Sequence, residues 1–219
     1  MEMQGLKETF RLVFKEKVNM KTLDAIKQRR AVKLYDSEHE MSESEIDQLM
    51  ALAKLSPTAY NQQNYRFVLV RDPSLRQQIR IAAGDQPQVT DSSLLIVLCA
   101  DTKAWDKKPQ RYWANAPEAV QNYMVSMIDQ YYRGREQVQR DEAMRSAGIA
   151  AQTIMLAAKS MGYDSCPMDG FDFDAVGNII NLPDDHVIAM FVVVGKASQP
   201  AKPRPTQLDV DEVIITDRF

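Results

Sequence analysis

The sequence predicts one α+β domain with helices packed around a central sheet. Two continuous apolar runs, Leu94–Ala100 and Val187–Val194, read as strands buried on both faces. Several longer segments carry apolar residues at helical spacing instead. No internal repeat and no flexible linker divides the 219 residues, and a chain of that length can bury a substantial core as one unit.

Taken in order, residues 1–20 place Leu6, Phe10, Val13, Phe14 and Val18 on one helical face, an amphipathic extension ahead of the body at 21–219. Asp24 to Arg30 reads as a short helix. Ser42 and Glu45 have capping-box spacing, and the helix they start runs through Ile46, Leu49, Met50 and Ala53 to a stop at Ser56-Pro57. Tyr65 to Arg71 is a strand, and Asp72-Pro73-Ser74 opens a helix that reaches Ala83. Glu118 to Tyr132 is helical by its apolar spacing, and the charged residues 133–142 read as a solvated stretch. Arg145 to Met161 is apolar nearly all round, which suits a helix in mid-core or at a dimer interface, and Gly162 ends it. Phe173 to Ile180 is a further helix. After a Pro-rich start at Pro200, Val210 to Thr216 looks strand-like.

Composition narrows the function. A net charge of −3 with no basic stripe argues against a general nucleic-acid binder. No apolar run approaches the ~20 residues of a membrane span, and charges through the first residues break up any signal peptide. Cys99 and Cys166 read as buried free thiols of a reducing cytoplasm. His39 and His186 lack partners at metal-ligand spacing, so no zinc site is expected.

Two segments carry chemistry. Arg29, Arg30 and Lys33 crowd the end of a short helix, and Lys202-Pro203-Arg204 repeats that chemistry after the last core strand. Arg offers a planar fork and Lys a point charge, which together suit a phosphate. Ser56-Pro-Thr-Ala-Tyr-Asn-Gln-Gln-Asn-Tyr65 is a turn-forming, amide-rich loop, and amides suit the edge of a heterocycle. Phosphate plus heterocycle suggests a mononucleotide-type cofactor. The Gly-x-Gly-x-x-Gly of a dinucleotide-binding fold is absent.

These segments, in this order, resemble the FMN-dependent nitroreductases from about residue 21 to 219. The resemblance implies a mainly antiparallel sheet and a homodimer with a domain-swapped C-terminal arm. It implies that Arg29, Arg30, Ala31, Lys33, Lys202 and Arg204 hold the flavin phosphate, with Ala31 where the family usually has Ser. Pro57, Thr58, Ala59 and Asn61 match the loop that covers the flavin from the partner subunit. Gln86, and after it Gln88, stand where the family touches the ribityl chain or the pyrimidine edge. Cys166-Pro-Met-Asp-Gly-Phe171 resembles the loop beside the flavin N5, which assigns Pro167, Met168, Asp169 and Gly170 to the cofactor. The implied activity is reduction of nitroaromatics, quinones or related small electrophiles, with NAD(P)H reducing tightly bound, non-covalent FMN in alternation with the acceptor. No side chain is needed as acid or base. A flavin or enone reductase on the same site, or a non-catalytic flavin-binding protein, are the alternatives.

Overall fold

The structure, a computed structural model, describes residues 20–219, so the amphipathic extension expected at 1–20 lies outside it except for Met20. Four strands form one fully antiparallel sheet: β1 (Tyr65–Val70), β2 (Leu94–Asp101), β3 (Asp164–Met168) and β4 (His186–Gly195), in the order β1-β2-β4-β3. The two apolar runs are the central pair, as their two-sided burial requires. A one-residue irregularity between Leu98 and Cys99 sets Ala189 out of register.

Each face of the sheet has its own apolar cluster. On one, Ile96, Leu98, Val192 and Val194 meet α2 (Glu43–Ala53) and the long α6 (Glu136–Ser160). On the other, Val97, Cys99, Phe191 and Val193 meet the region of α3 (Pro73–Ala82), α4 (Gln88–Asp91) and α7 (Phe173–Ile179). The remaining helices are α1 (Thr22–Gln28), α5 (Glu118–Tyr132) and the single turn α8 (Val210–Val213). The α+β class with an antiparallel centre is therefore as expected.

Three expectations are corrected. Residues 133–142 are mostly exposed, as expected, but they are not merely a solvated stretch: α6 begins at Glu136, and Gln139 is buried, bonded to Lys103 and to the Tyr132 carbonyl. Gly134, at φ +69°, breaks the chain before that helix and hides its continuity with the apolar part. Part of the expected Cys166–Phe171 loop is strand β3, whose Pro167 is tolerated because β3 is an edge. Val210–Thr216 is no strand. Its β-branched residues find nothing to pack on within the chain, and only one helical turn forms.

The capping box at α2 forms as its spacing predicts, with Ser42 and Glu45 bonding reciprocally. The Tyr163 hydroxyl also donates to Glu45, 2.6 Å away. That bond, helped by Ser42, holds the Glu45 carboxyl below its ordinary pKa. A depressed folded pKa stabilises the fold fully above the unfolded value of 4.5, and the contribution fades as pH falls through the lowered one. Glu45→Gln is accordingly expected to lower the urea midpoint at neutral pH and to flatten the loss of stability below pH 4.5. An acid limb as steep as in the parent protein would contradict this reading.

Asp101, 2% exposed at the end of β2, is matched by Arg66 at 3.1 Å, Lys107 at 2.9 Å and the Lys103 N–H at 3.0 Å. Asp185 and His186 stand beside it. With two cations already in place the group is a structural lock, because an added metal ion would meet their charge.

Candidate active site

The chain reverses after α1, and Ala31 pairs with Ser165 at the start of β3 while Val32 donates to the Ser165 carbonyl. That pairing lays Arg29, Arg30, Ala31 and Lys33 beside the β3 edge. The C-terminal segment returns over them. Arg204 donates to the carbonyls of Lys27 and Arg29 at the end of α1, where the helix dipole favours a cation. Arg30 in turn donates to the Lys202 carbonyl. The result is one cavity of about 410 Å³ lined by all of Arg29, Arg30, Ala31, Lys33, Lys202 and Arg204.

No carboxylate lines that cavity, and among the described residues none of its five cations forms an ion pair. Like charges held together without a counter-charge repel one another, and a bound anion relieves that cost. Arg30 and Arg204 also clamp the returning segment, a use that a sequence separation of over 170 residues conceals. Cavities of about 520 and 650 Å³ elsewhere carry Glu40 and Glu43, or Asp174 and Asp184, and lack this character.

From the cations, β3 leads directly to the second expected feature. Burial pushes the Cys166 thiol up, against the pull of Lys33 and Arg29. Both cysteines are buried free thiols, as expected. Pro167 and Met168 follow in the strand, and Asp169 and Gly170 emerge exposed beyond it. Nothing in the protein crowds Gly170: an added Cβ would meet only the Gln86 amide, at 3.8 Å. Gln86 donates to the Gly170 carbonyl, and Gln88 donates to Gln86, so both glutamines join this place, with their amides bonded to protein partners.

Pro57, Thr58, Ala59 and Asn61 are elsewhere. Their loop precedes β1, at the opposite edge and opposite end of the sheet from Ser165, roughly 25 Å away by strand spacings. It is a built feature. Tyr60, Asn61 and Gln63 take φ values of +54°, +55° and +46°, a region that costs non-glycine residues energy and persists where surroundings impose it. The Thr58 hydroxyl accepts from the Gln63 N–H, and Asn61 donates to the Tyr112 carbonyl. Tyr65 supports the loop from below by donating to the Lys54 carbonyl. Ser56 Oγ, Gln62 Nε2 and Asn64 Oδ1 are buried there without partners among the described residues. Sequence reasoning missed Tyr60, which packs on Tyr131 and Tyr132 at 5.6 and 6.2 Å, because one aromatic in a polar loop carries no periodic signal.

Comparison with known proteins identifies the family. The Nitroreductase family model matches residues 26–196. The chain is 52% identical over 182 residues to Protein DrgA of Synechocystis sp., covering 83% of this chain and 87% of that one. It is 29% identical over 198 residues to the oxygen-insensitive NADPH nitroreductase of Helicobacter pylori, covering 86% and 93%. Among solved structures, a nitroreductase-type protein of Exiguobacterium sibiricum in complex with FMN superposes with a TM-score of 0.83 at 25% identity, covering 90% of this chain and 97% of that one. The chain belongs to the nitroreductase family.

Proposed function

We propose that the protein is an FMN-dependent oxidoreductase that takes hydride from NAD(P)H and passes it to a nitroaromatic, a quinone or a related small electrophile at the same open face, in alternation. The observation that carries this is the carboxylate-free cavity of five cations joined by one strand to an exposed glycine. FMN, when bound, supplies the two-electron chemistry. Arg29, Lys33 and Lys202 hold its phosphate, and Arg30 and Arg204 keep the returning segment closed over it. The Gly170 N–H donates to no acceptor among the described residues and is free to hydrogen-bond the ring atom that takes and returns hydride. His39 faces Tyr163 and His186 faces Asp185, so neither histidine stands by the cation cavity.

We infer a homodimer with each site shared between chains. The Pro57–Asn61 loop lies at the sheet edge opposite the cations, and a second chain can bring it over a flavin that the first chain's cations hold. The C-terminal segment supports this as the arm that wraps a partner: Leu208, Val210, Val213 and Ile214 are 61–66% exposed and Phe219 entirely so. Among the described residues no helix is long and apolar enough to cross a membrane. Two buried, unbridged cysteines suit the cytoplasm.

The test is spectroscopic. The purified or FMN-reconstituted protein is expected to be yellow, to release FMN on heating, to bleach anaerobically with NADH or NADPH, and to recover colour on adding a quinone or nitroaromatic. Stoichiometric FAD, or bound flavin that neither coenzyme bleaches, would overturn the proposal.

A further inference from the structure

We propose that Gln86, aligned by Gln88, is a positioning residue that fixes the backbone at Gly170 so that its N–H meets the flavin ring. This rests on the FMN reading above. Glycine has no Cβ to restrict its torsions, so a free N–H at this position would wander unless both flanking peptides were held. They are held. The Gln86 amide donates to the Gly170 carbonyl at 3.1 Å, the Phe171 N–H donates to the Asp169 carbonyl at 3.1 Å, and the Asp172 N–H donates to the Ala82 carbonyl at 2.9 Å. Phe171 is stacked on the buried Phe191 ring at 3.8 Å. With these bonds made, the Gly170 N–H is the donor left over.

The amide of Gln86 is itself oriented. Its nitrogen also donates to the Ala83 carbonyl at 3.0 Å, and its oxygen accepts from Gln88 at 2.9 Å. A flipped amide would set oxygen against two carbonyls and nitrogen against a donor. Gln88, 3% exposed, cannot turn away to water. The backbone beneath is equally fixed. The end of α3 closes in a Schellman motif, with the Asp85 N–H on the Arg80 carbonyl and the Gly84 N–H on that of Ile81, and Gly84 takes φ +65°. The Arg80 side chain then grips Asp85 at 2.7 Å. Gln86 therefore acts as a rigid strut from the α3 terminus to the site, which is a different task from touching the ligand.

Gln86→Leu and Gln86→Glu test this, the second replacing the donor by a repelling oxygen, with Gln88→Leu as a milder variant. In the flavin-free protein, amide hydrogen exchange over residues 169–172 is expected to rise at least about tenfold in both Gln86 variants and less in Gln88→Leu, while β2 keeps its protection and so certifies the fold. FMN affinity is expected to stay within about threefold. The limiting rate of anaerobic flavin reduction is expected to fall at least about tenfold, with the half-saturating coenzyme concentration unchanged. Parent-like exchange and a parent-like limiting rate in Gln86→Leu would overturn the proposal. A tenfold loss of both FMN and riboflavin affinity would overturn it differently, by showing that the amide contacts the flavin. If the parent protein binds no FMN, the functional reading falls and this role with it, and the exchange pattern reports the clamp alone.

Discussion

Arg29→Ala combined with Lys202→Ala is expected to release FMN and leave the fold standing. A hydrogen bond between a charged donor and phosphate contributes about 1.5–3 kcal/mol. Removing two weakens binding by roughly two to four powers of ten, since about 1.4 kcal/mol is tenfold. Neither residue pairs with a carboxylate among the described residues, and both line a cavity of like charge. Their loss therefore removes repulsion, and the melting temperature of the flavin-free protein is expected to hold or rise slightly. Riboflavin, which has no phosphate, is expected to bind the variant as it binds the parent. The check is a fluorescence titration with both flavins. Equal losses for both, or an unchanged FMN affinity, would show that these cations form only a solvated patch.

Phe191→Ala is expected to produce the largest loss of stability. The ring is fully buried in β4, on the face shared with Cys166, Met168 and Val193, and it lies flat against Phe171 with only 5° between planes. Truncating a buried Phe costs about 3–5 kcal/mol, of which the lost ring pair accounts for about 0.5–1.5. In a chain of this size each kcal/mol moves the midpoint by about 2–4 °C, so a fall of roughly 6–20 °C is expected on thermal melting. The same change frees Phe171, next to Gly170, so flavin reduction should slow in whatever protein remains folded. A midpoint within about 2 °C of the parent would contradict the placement of this ring at the junction of core and site.

What could be read in the sequence follows from which signals are local. β2 and β4 announced themselves because strands covered on both faces are apolar throughout. The Ser42 and Asp72 caps are local grammar, and both formed. β3 hid because an edge strand needs apolar residues less and tolerates Pro167. The first turns of α6 hid because Gly134 interrupts the helical pattern and because the buried Gln139 is satisfied by Lys103, a contact across 36 residues. Val210–Thr216 misled because β-branching favours a strand only where there is a sheet to join. At the site, the cation cluster was legible as residue type and order. The use of Arg30 and Arg204 as clamps, and of Gln86 as a strut, depended on partners far along the chain. The capacity of Tyr60 and Asn61 to sit at positive φ depended on packing that no local pattern records.

The central claim is that one chain supplies the cations and another the covering loop, so bound FMN belongs to a pair. Sedimentation velocity at low micromolar concentration, followed at the flavin absorbance, tests it most directly. The account predicts that flavin absorbance travels only with a species of twice the 24.9 kDa chain, and that flavin-free monomer is absent or colourless. A flavin-loaded species sedimenting as a single chain would contradict it.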